Sequence, residues 1–416
     1  MNTFFSNLEN EYVDLAGKVV SFRSYPGQEK ELADFFLARF AEMNAEAFRD
    51  GAGNIVAIIR GDSGPSVMLN GHLDIVPEGD LANWVPFDPF VATRDGSDLI
   101  GRGLSDLKGG LCAQYLAFKL VKKAVDSGIK LHGTLIFSLV VMEEPAESMG
   151  MEYLLETTFP EHGLHCDVVY LCEPTSGDVA LGQRGKVELA VSVRGKCAHS
   201  SRPEEGINAV QKALPVLDAI FSGFNEAPVT HPRLGSSSMT VTDLKVSPGG
   251  LSVVPDLCEI SLDRRYVPPQ TIDDTVFQVQ ALLDKLAAAD PEFSASVAPR
   301  STHRRCYTGY EKDMPKRHPA WETARDNNFV LATLEALRAV GLPCDEKYWQ
   351  FGTDGSVSAG GYGIPTIGYS HARESWAHQP KERVCIDDML CSVEGYSAIL
   401  CKLFALPLDD VISSNK

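Results

Sequence analysis

The sequence predicts an α/β protein with a mainly parallel sheet, interrupted by a second, smaller unit. Three observations lead there. Short apolar runs alternate with helix-period segments up to Glu173, the pattern of strands joined by crossover helices. From Lys186 the order becomes strand, helix, strand, strand, helix, strand, which is the ferredoxin-like βαββαβ motif. Beyond about residue 300 the first pattern resumes. A chain of 416 residues is long for one core at roughly 100–200 residues per domain. The expected layout is therefore a main domain in two pieces, 1–185 and 301–416, holding an inserted lid of 186–300.

The elements follow in order. Leu8, Tyr12, Leu15 and Val19 recur at helical spacing within 5–22, and 29–43 repeats the period, so two amphipathic helices open the chain. NIVAIIRG and PSVMLNG are brief apolar runs bounded by Gly, Pro and Asp, which read as strands ending in turns. LKGGLCAQYLAFKLVKKAV starts a helix directly after the turn at Asp106. TLIFSLVVM is a continuous apolar run, as in a strand covered on both faces, and it ends at Glu143 and Glu144. VVYLCEP ends at Glu173 in the same way.

In the inserted unit the strands are KVELAVSVRG, SSMTVTDLKVS, DLCEISLDRRYV and FSASVAP, and the helices AVQKALPVLDAIFSG and TVFQVQALLDKLAAA. The basic stretch between His303 and His318 is interrupted by acids and reads as a solvated loop. A helix (NNFVLATLEALRAVG), the glycine-rich FGTDGSVSAGGYGIPTIGYS and a closing helix (DDMLCSVEGYSAILCKLFAL) complete the pattern.

Composition narrows the function classes. A formal charge of -18 without a basic stripe argues against nucleic acid and anionic membrane, whose binders displace counterions with clustered cations. Ten cysteines with no C-x-x-C pair suit reduced thiols better than a disulfide or zinc-ribbon framework. The first twenty residues lack a basic, cleavable leader, and the longest apolar run falls short of the ~20 residues a membrane span needs. A soluble, cytoplasmic protein is expected.

His72, Asp106, Glu144, Glu173 and His378 end apolar strands or lie in turns beside them, and ligands of open α/β sheets gather at the carboxyl ends of strands. Imidazoles and carboxylates without cysteine suit zinc, cobalt or manganese in a catalytic rather than a purely structural site. Three carboxylates against two divalent ions leave about one positive charge, which a bound hydroxide would cancel. Taken singly, each residue is more often a capping or solvated side chain.

The order of motifs carries the chain further. H-x-D in GHLD, G-R-G-x-S-D-x-K-G-G, the E-E pair before a turn and E-P-T after a strand resemble the dinuclear zinc amidohydrolase and peptidase family of acetylornithine deacetylase, succinyl-diaminopimelate desuccinylase and glutamate carboxypeptidase. The resemblance spans nearly the whole chain, lid included. It implies two divalent ions, zinc foremost with cobalt or manganese as alternatives. His72, a bridging Asp106 and Glu173 would hold one; Asp106, Glu144 and His378 would hold the other. H-Q-P-x-E selects His378 over His371. Asp74 would accept the second ring N–H of His72, or else cap the turn at Pro77. Adjacent residues of an extended segment point to opposite sides, and the resemblance makes Glu143 the general base; a second ligand or a solvated turn residue is the alternative.

In the lid, His199 matches a histidine that reaches across a homodimer to stabilise the oxyanion, against an exposed loop histidine. Arg265 would grip a substrate carboxylate, or pair with Asp263. Thr353 in GTDGS would offer a substrate-facing hydroxyl, or belong to a tight turn. GQRGKVEL resembles the hinge, while Ser252 stands where many relatives carry a substrate-contacting Asn. VPD with SLDRR, and GIPTIGYS, lean towards the deacetylase and selenium-metabolism-linked hydrolase branch. The implied reaction is hydrolysis of a small N-acyl amino acid, with a di- or carboxypeptidase, or a non-catalytic ligand-binding relative, as alternatives. His132, His162 and His165 are read as surface residues.

Overall fold

The computed structural model describes residues 3–145, 147–222, 228–250 and 252–413. Helices α1 (Thr3–Val20) and α2 (Lys30–Glu42) form where the apolar period puts them. Leu8, Tyr12, Leu15 and Val19 are buried together with Phe36 and Phe40 of α2. Each such side chain contributes roughly 1.5–3 kcal/mol of burial.

The main sheet has nine strands. Its first half comprises β1 (Glu46–Arg49), β2 (Ile55–Arg60), β3 (Ser66–His72), β4 (Thr134–Val140), β5 (Val168–Leu171) and β6 (Val179–Gln183). The inserted unit supplies β7 (Gly185–Arg194), β8 (Ser238–Ser247), β9 (Leu257–Tyr266) and β10 (Ser294–Pro299). After it come β11 (Ser301–Arg305), β12 (Glu311–Pro315), β13 (Arg317–His318), β14 (Trp321–Glu322), β15 (Glu346–Trp349) and β16 (Thr366–Tyr369). The main sheet runs β1-β2-β4-β3-β5-β16-β6-β14, with β15 also on β6. Its centre is parallel, β4 on β3 on β5 on β16, and its flanks are largely antiparallel. The carboxyl ends of β3, β4 and β5 therefore open on one edge, which is where His72, the Glu143–Glu144 turn and Glu173 lie.

Helices cover both faces, so the central strands β3 and β4 are buried almost throughout, as the continuous apolar text of β4 requires. α3 (Gly109–Asp126) and α7 (Ile386–Phe404) pack with α1 on one face; α6 (Asn328–Ala339) packs with them. Two further helices, α4 (Ala209–Ser222) and α5 (Ile272–Ala289), cover the second sheet. That sheet has the order β8-β9-β7-β10, antiparallel throughout, the arrangement of a ferredoxin-like unit. β13 adds to it, pairing Lys186 with His318.

The basic stretch after the inserted unit is not a solvated loop. It is the hairpin β11–β12, because Arg304 reaches buried Glu147 (3.1 Å) and Lys312 reaches Glu152 (2.9 Å), which moors it to the main domain. Among the described residues, no helix is long and apolar enough to cross a membrane.

Candidate metal centre

His72 is the last residue of β3 and is fully buried. Two residues on, Asp74 accepts the backbone amides of Glu143 (3.1 Å) and Glu144 (2.9 Å), fixing the turn after β4. At the start of that turn Met142 adopts a left-handed φ of 60°, and its amide donates to Glu29 Oε1 (3.3 Å). Three consecutive amides thus end on two buried carboxylates from distant segments. This corrects the expectation for Asp74. The Nδ1 of His72 lies 3.0 Å from the backbone carbonyl of Asp74 and 3.8 Å from its Oδ1, because the carboxylate is engaged by the turn amides. Donation from Nδ1 still turns the Nε2 lone pair towards the centre.

Asp106 sits in the turn Leu104–Lys108 that leads into α3. Its Oδ1 is 3.2 Å from His72 Nε2 and its Oδ2 is 3.1 Å from His378 Nε2. Around His72 Nε2 stand Glu173 Oε1 at 3.6 Å and Glu143 Oε2 at 3.9 Å. Beside His378 Nε2 stands Glu144 Oε2 at 3.3 Å. Glu143 and Glu144 are neighbours in sequence yet reach different histidines.

These residues fit divalent cations. Ligand atoms of His72, Glu143 and Glu173, and of His72, Asp106 and Glu144, lie within 4.8 Å of one another. Separations of 3.1–3.6 Å suit paired ligands each about 2.0–2.2 Å from a shared zinc ion at near-tetrahedral angles. Buried Glu144 Oε1 has no hydrogen-bond partner among the described residues. Those four carboxylates find ion-pair partners only in the two histidines, among the described residues.

Charge follows from burial. Desolvation pushes the Glu143 and Glu173 carboxyls well above the usual range, and their acidic neighbours add to it. Burial, then the charge of Asp106, raises Glu144. Burial alone would raise Asp106 too, but hydrogen bonds from His378 and His72 hold it below the ordinary carboxylate range. Those bonds to Asp106, then to Glu144, lift His378 to about 10. So crowded an acidic site calls for positive charge, which divalent ions supply.

A cavity of about 430 Å³ opens above the centre. Asp106, Glu143, Glu144, Glu173 and His378 form part of its wall, with Lys186, Arg265 and His318 contributed from the second sheet. Phe351, Gly352 and Glu374 also border it. Arg265 borders the cavity and its Nε donates to Asp263 Oδ1 (2.7 Å), the pairing that is one of its two readings. The expected substrate-facing role of Thr353 is corrected. It is fully buried and its hydroxyl donates to Gln183 Oε1 (2.6 Å), since that amide oxygen has to be satisfied inside the protein. His199 is exposed on the short strand Ala198–His199, with Nδ1 2.7 Å from Ser201 Oγ, and does not border the cavity. His371 is buried against Ser392, away from the centre. His132, His162 and His165 are on the surface.

Sequence reasoning passed over Lys186, His318 and Glu374, which only folding brings to one cavity. It also passed over Asp354, buried in GTDGS, where Asn70 donates to Oδ2 (2.9 Å), and Glu382, the last letter of H-Q-P-x-E. That motif was the signal for Glu382.

Residues 68–402 match the profile of the peptidase family M20/M25/M40. The chain belongs to that family. It is accordingly a metallopeptidase-family hydrolase, acting on amide or peptide bonds. The uncharacterized protein YgeY of Escherichia coli K12 is 29% identical over 357 residues, 84% of this chain and 83% of that one. A succinyl-diaminopimelate desuccinylase of Alkalilimnicola ehrlichii is 27% identical over 285 residues, 66% of this chain and 74% of that one. Among solved structures, the YXEP protein of Bacillus subtilis, described as a dinuclear metal-binding peptidase of the M20 family, superposes with a TM-score of 0.69 at 15% identity, over 98% of this chain and 100% of that one. This shared fold matches the α/β architecture expected from the sequence.

Proposed function

We propose that the chain is a two-metal hydrolase cleaving the amide of a small N-acyl amino acid. The observation that carries the reading is the split of Asp106, one oxygen towards His72 and the other towards His378. His72 and Glu173 would hold one divalent ion with Asp106, and Glu144 and His378 the other. Zinc suits these nitrogen and oxygen donors best, with cobalt or manganese as alternatives. When bound, the ions polarise the scissile carbonyl and make water nucleophilic near neutral pH.

Glu143 is the general base. Its carboxylate borders the cavity and burial raises it well above the ordinary carboxylate range, which suits a group that takes a proton from the attacking water and hands it to the departing amine. Arg265, with Lys186 beside it, orients a substrate carboxylate and so favours N-acyl amino acids over uncharged amides. Glu143→Ala should retain the metals yet lose turnover by roughly 10²–10⁴-fold; an unaffected rate would sink the mechanism. Acetyl, succinyl and formyl amino acids assayed beside dipeptides decide between deacylase and peptidase.

The inserted unit would act as a lid hinged at GQRGKVEL and pair two copies into a homodimer. Edge strand β8 leaves Leu244 and Val246 exposed, an edge that another chain can cover. In such a dimer the exposed His199 would enter the partner's site and stabilise the oxyanion. Ten free cysteines suit a reducing compartment, in keeping with a cytoplasmic enzyme.

A further inference from the structure

We infer that Glu382 is a positioning residue whose carboxylate clamps the Asp106 turn to the segment bearing His378, setting the spacing of two ligands on the Glu144 side of the centre. The inference rests on the two-metal reading above.

Glu382 is buried. Its Oε1 accepts the amides of Ser105 (2.8 Å) and Asp106 (2.9 Å). Its Oε2 accepts the amide of Gly103 (2.9 Å) and a charged hydrogen bond from Arg102 Nη1 (2.6 Å). Converging backbone amides form an anion-binding concavity, and here the protein's own carboxylate fills it. Two further ties run between the same segments: Gly101 N donates to the Glu382 carbonyl (2.9 Å), and Ser105 Oγ donates to the Arg373 carbonyl (2.7 Å).

Neither segment is held by regular structure at its ligand. Asp106 and Leu107 depart from helical φ/ψ inside their turn. His378 and Lys381 have φ values of 60° and 57°, a left-handed conformation that non-glycine residues keep only under outside restraint. Glu382 supplies that restraint four residues past His378. On the other side of the centre, His72 and Glu173 follow from β3 and β5, neighbours in the sheet, and need no such clamp. The consequence is asymmetry: without Glu382, the Glu144 side loses the alignment of both Asp106 and His378, while the His72 side loses that of Asp106 alone.

The test is calorimetric titration of metal-free protein with Zn²⁺, with metal per chain checked by elemental analysis and unfolding midpoints taken for the metal-free forms. Glu382→Gln keeps one acceptor oxygen, so part of the amide set is released. The wild type should take two ions; the variant should bind the first nearly as well and the second roughly 10–100-fold more weakly. Arg102→Gln breaks the buried ion pair but leaves the three amides on Glu382, and should lower the unfolding midpoint without that selective loss. If Glu382→Gln does not fold, Glu382→Asp keeps the charge beside Arg102 and should show the same selective weakening. Two ions at wild-type affinities, equal weakening of both, or the same selective loss in Arg102→Gln would overturn the positioning role. Fewer than two ions on the wild type would instead overturn the two-metal reading.

Discussion

Glu29 shows how much of the centre is built by residues that never reach it. Its Oε1 accepts the amides of Gly27 (3.0 Å) and Met142 (3.3 Å), while Oε2 is buried with no hydrogen-bond partner among the described residues. Burial first, then the charge of Asp74, lifts its carboxyl to about 8; Cys306 and Tyr307 face it as well. In the unfolded chain a glutamate titrates near ~4.3. Between those values the folded state holds a proton that the unfolded state has lost, so this group's contribution to stability falls as pH rises through the window. Glu29→Gln, uncharged and of the same shape, should remove that slope. The drop in denaturation midpoint between about pH 5 and about pH 8 should be smaller in the variant than in the wild type, and an equal drop would count against the assignment. Glu143 and Asp106 stood out in the sequence only through the motifs around them, not as single letters. Glu29 did not, since its role depends on a turn more than a hundred residues away.

At the scale of elements, β3 is the strand on which the site depends. It lies between β4 and β5 in parallel register, so His72, the turn after β4 and Glu173 emerge together. Gly71 is part of that packing. A Cβ there would lie 2.7 Å from Cys172 Sγ and 2.8 Å from Leu111 Cδ1, bringing β3 into conflict with the start of α3 and the end of β5. Gly71→Ala should therefore cost about 1–3 kcal/mol of stability through overpacking, read as a lower denaturant midpoint at unchanged m-value. A variant as stable as the wild type would show that the interface can give way. The continuous apolar text of β4 was enough to predict a strand covered on both faces, and period two placed Ile260 and Leu262 of β9 on the packed face. Sequence gave no warning of the hairpin β11–β12, because its charged residues read as solvated until Glu147 and Glu152 are brought opposite them.

For the whole molecule, the centre joins parts of the chain that unfolding would scatter, so ions that bind only the folded form must stabilise it. Chelator-treated protein should lose activity and unfold at a lower temperature, and Zn²⁺ should restore both; an unfolding temperature indifferent to metal would contradict the two-ion site. The same scale governs assembly. Light scattering should find a dimer, and a monomer at every concentration would remove the trans role of His199. The cavity belongs to this scale too, since Lys186, Arg265 and His318 come from the second sheet, and Glu143, Glu144 and Glu173 from turns at the carboxyl ends of strands in the main one.

By itself, the sequence determined the α/β alternation, the order of the inserted strands and helices, and the residue types able to hold metal, because periodicity and motif spacing are local properties. Tertiary structure decided what depends on juxtaposition. It handed the His72 Nδ1 contact to the Asp74 backbone carbonyl, turned Thr353 inward onto Gln183, and set Glu382 into a nest of amides nearly three hundred positions earlier in the chain. A hydrogen bond forms with whichever group the fold brings within reach, and sequence distance carries no information about that.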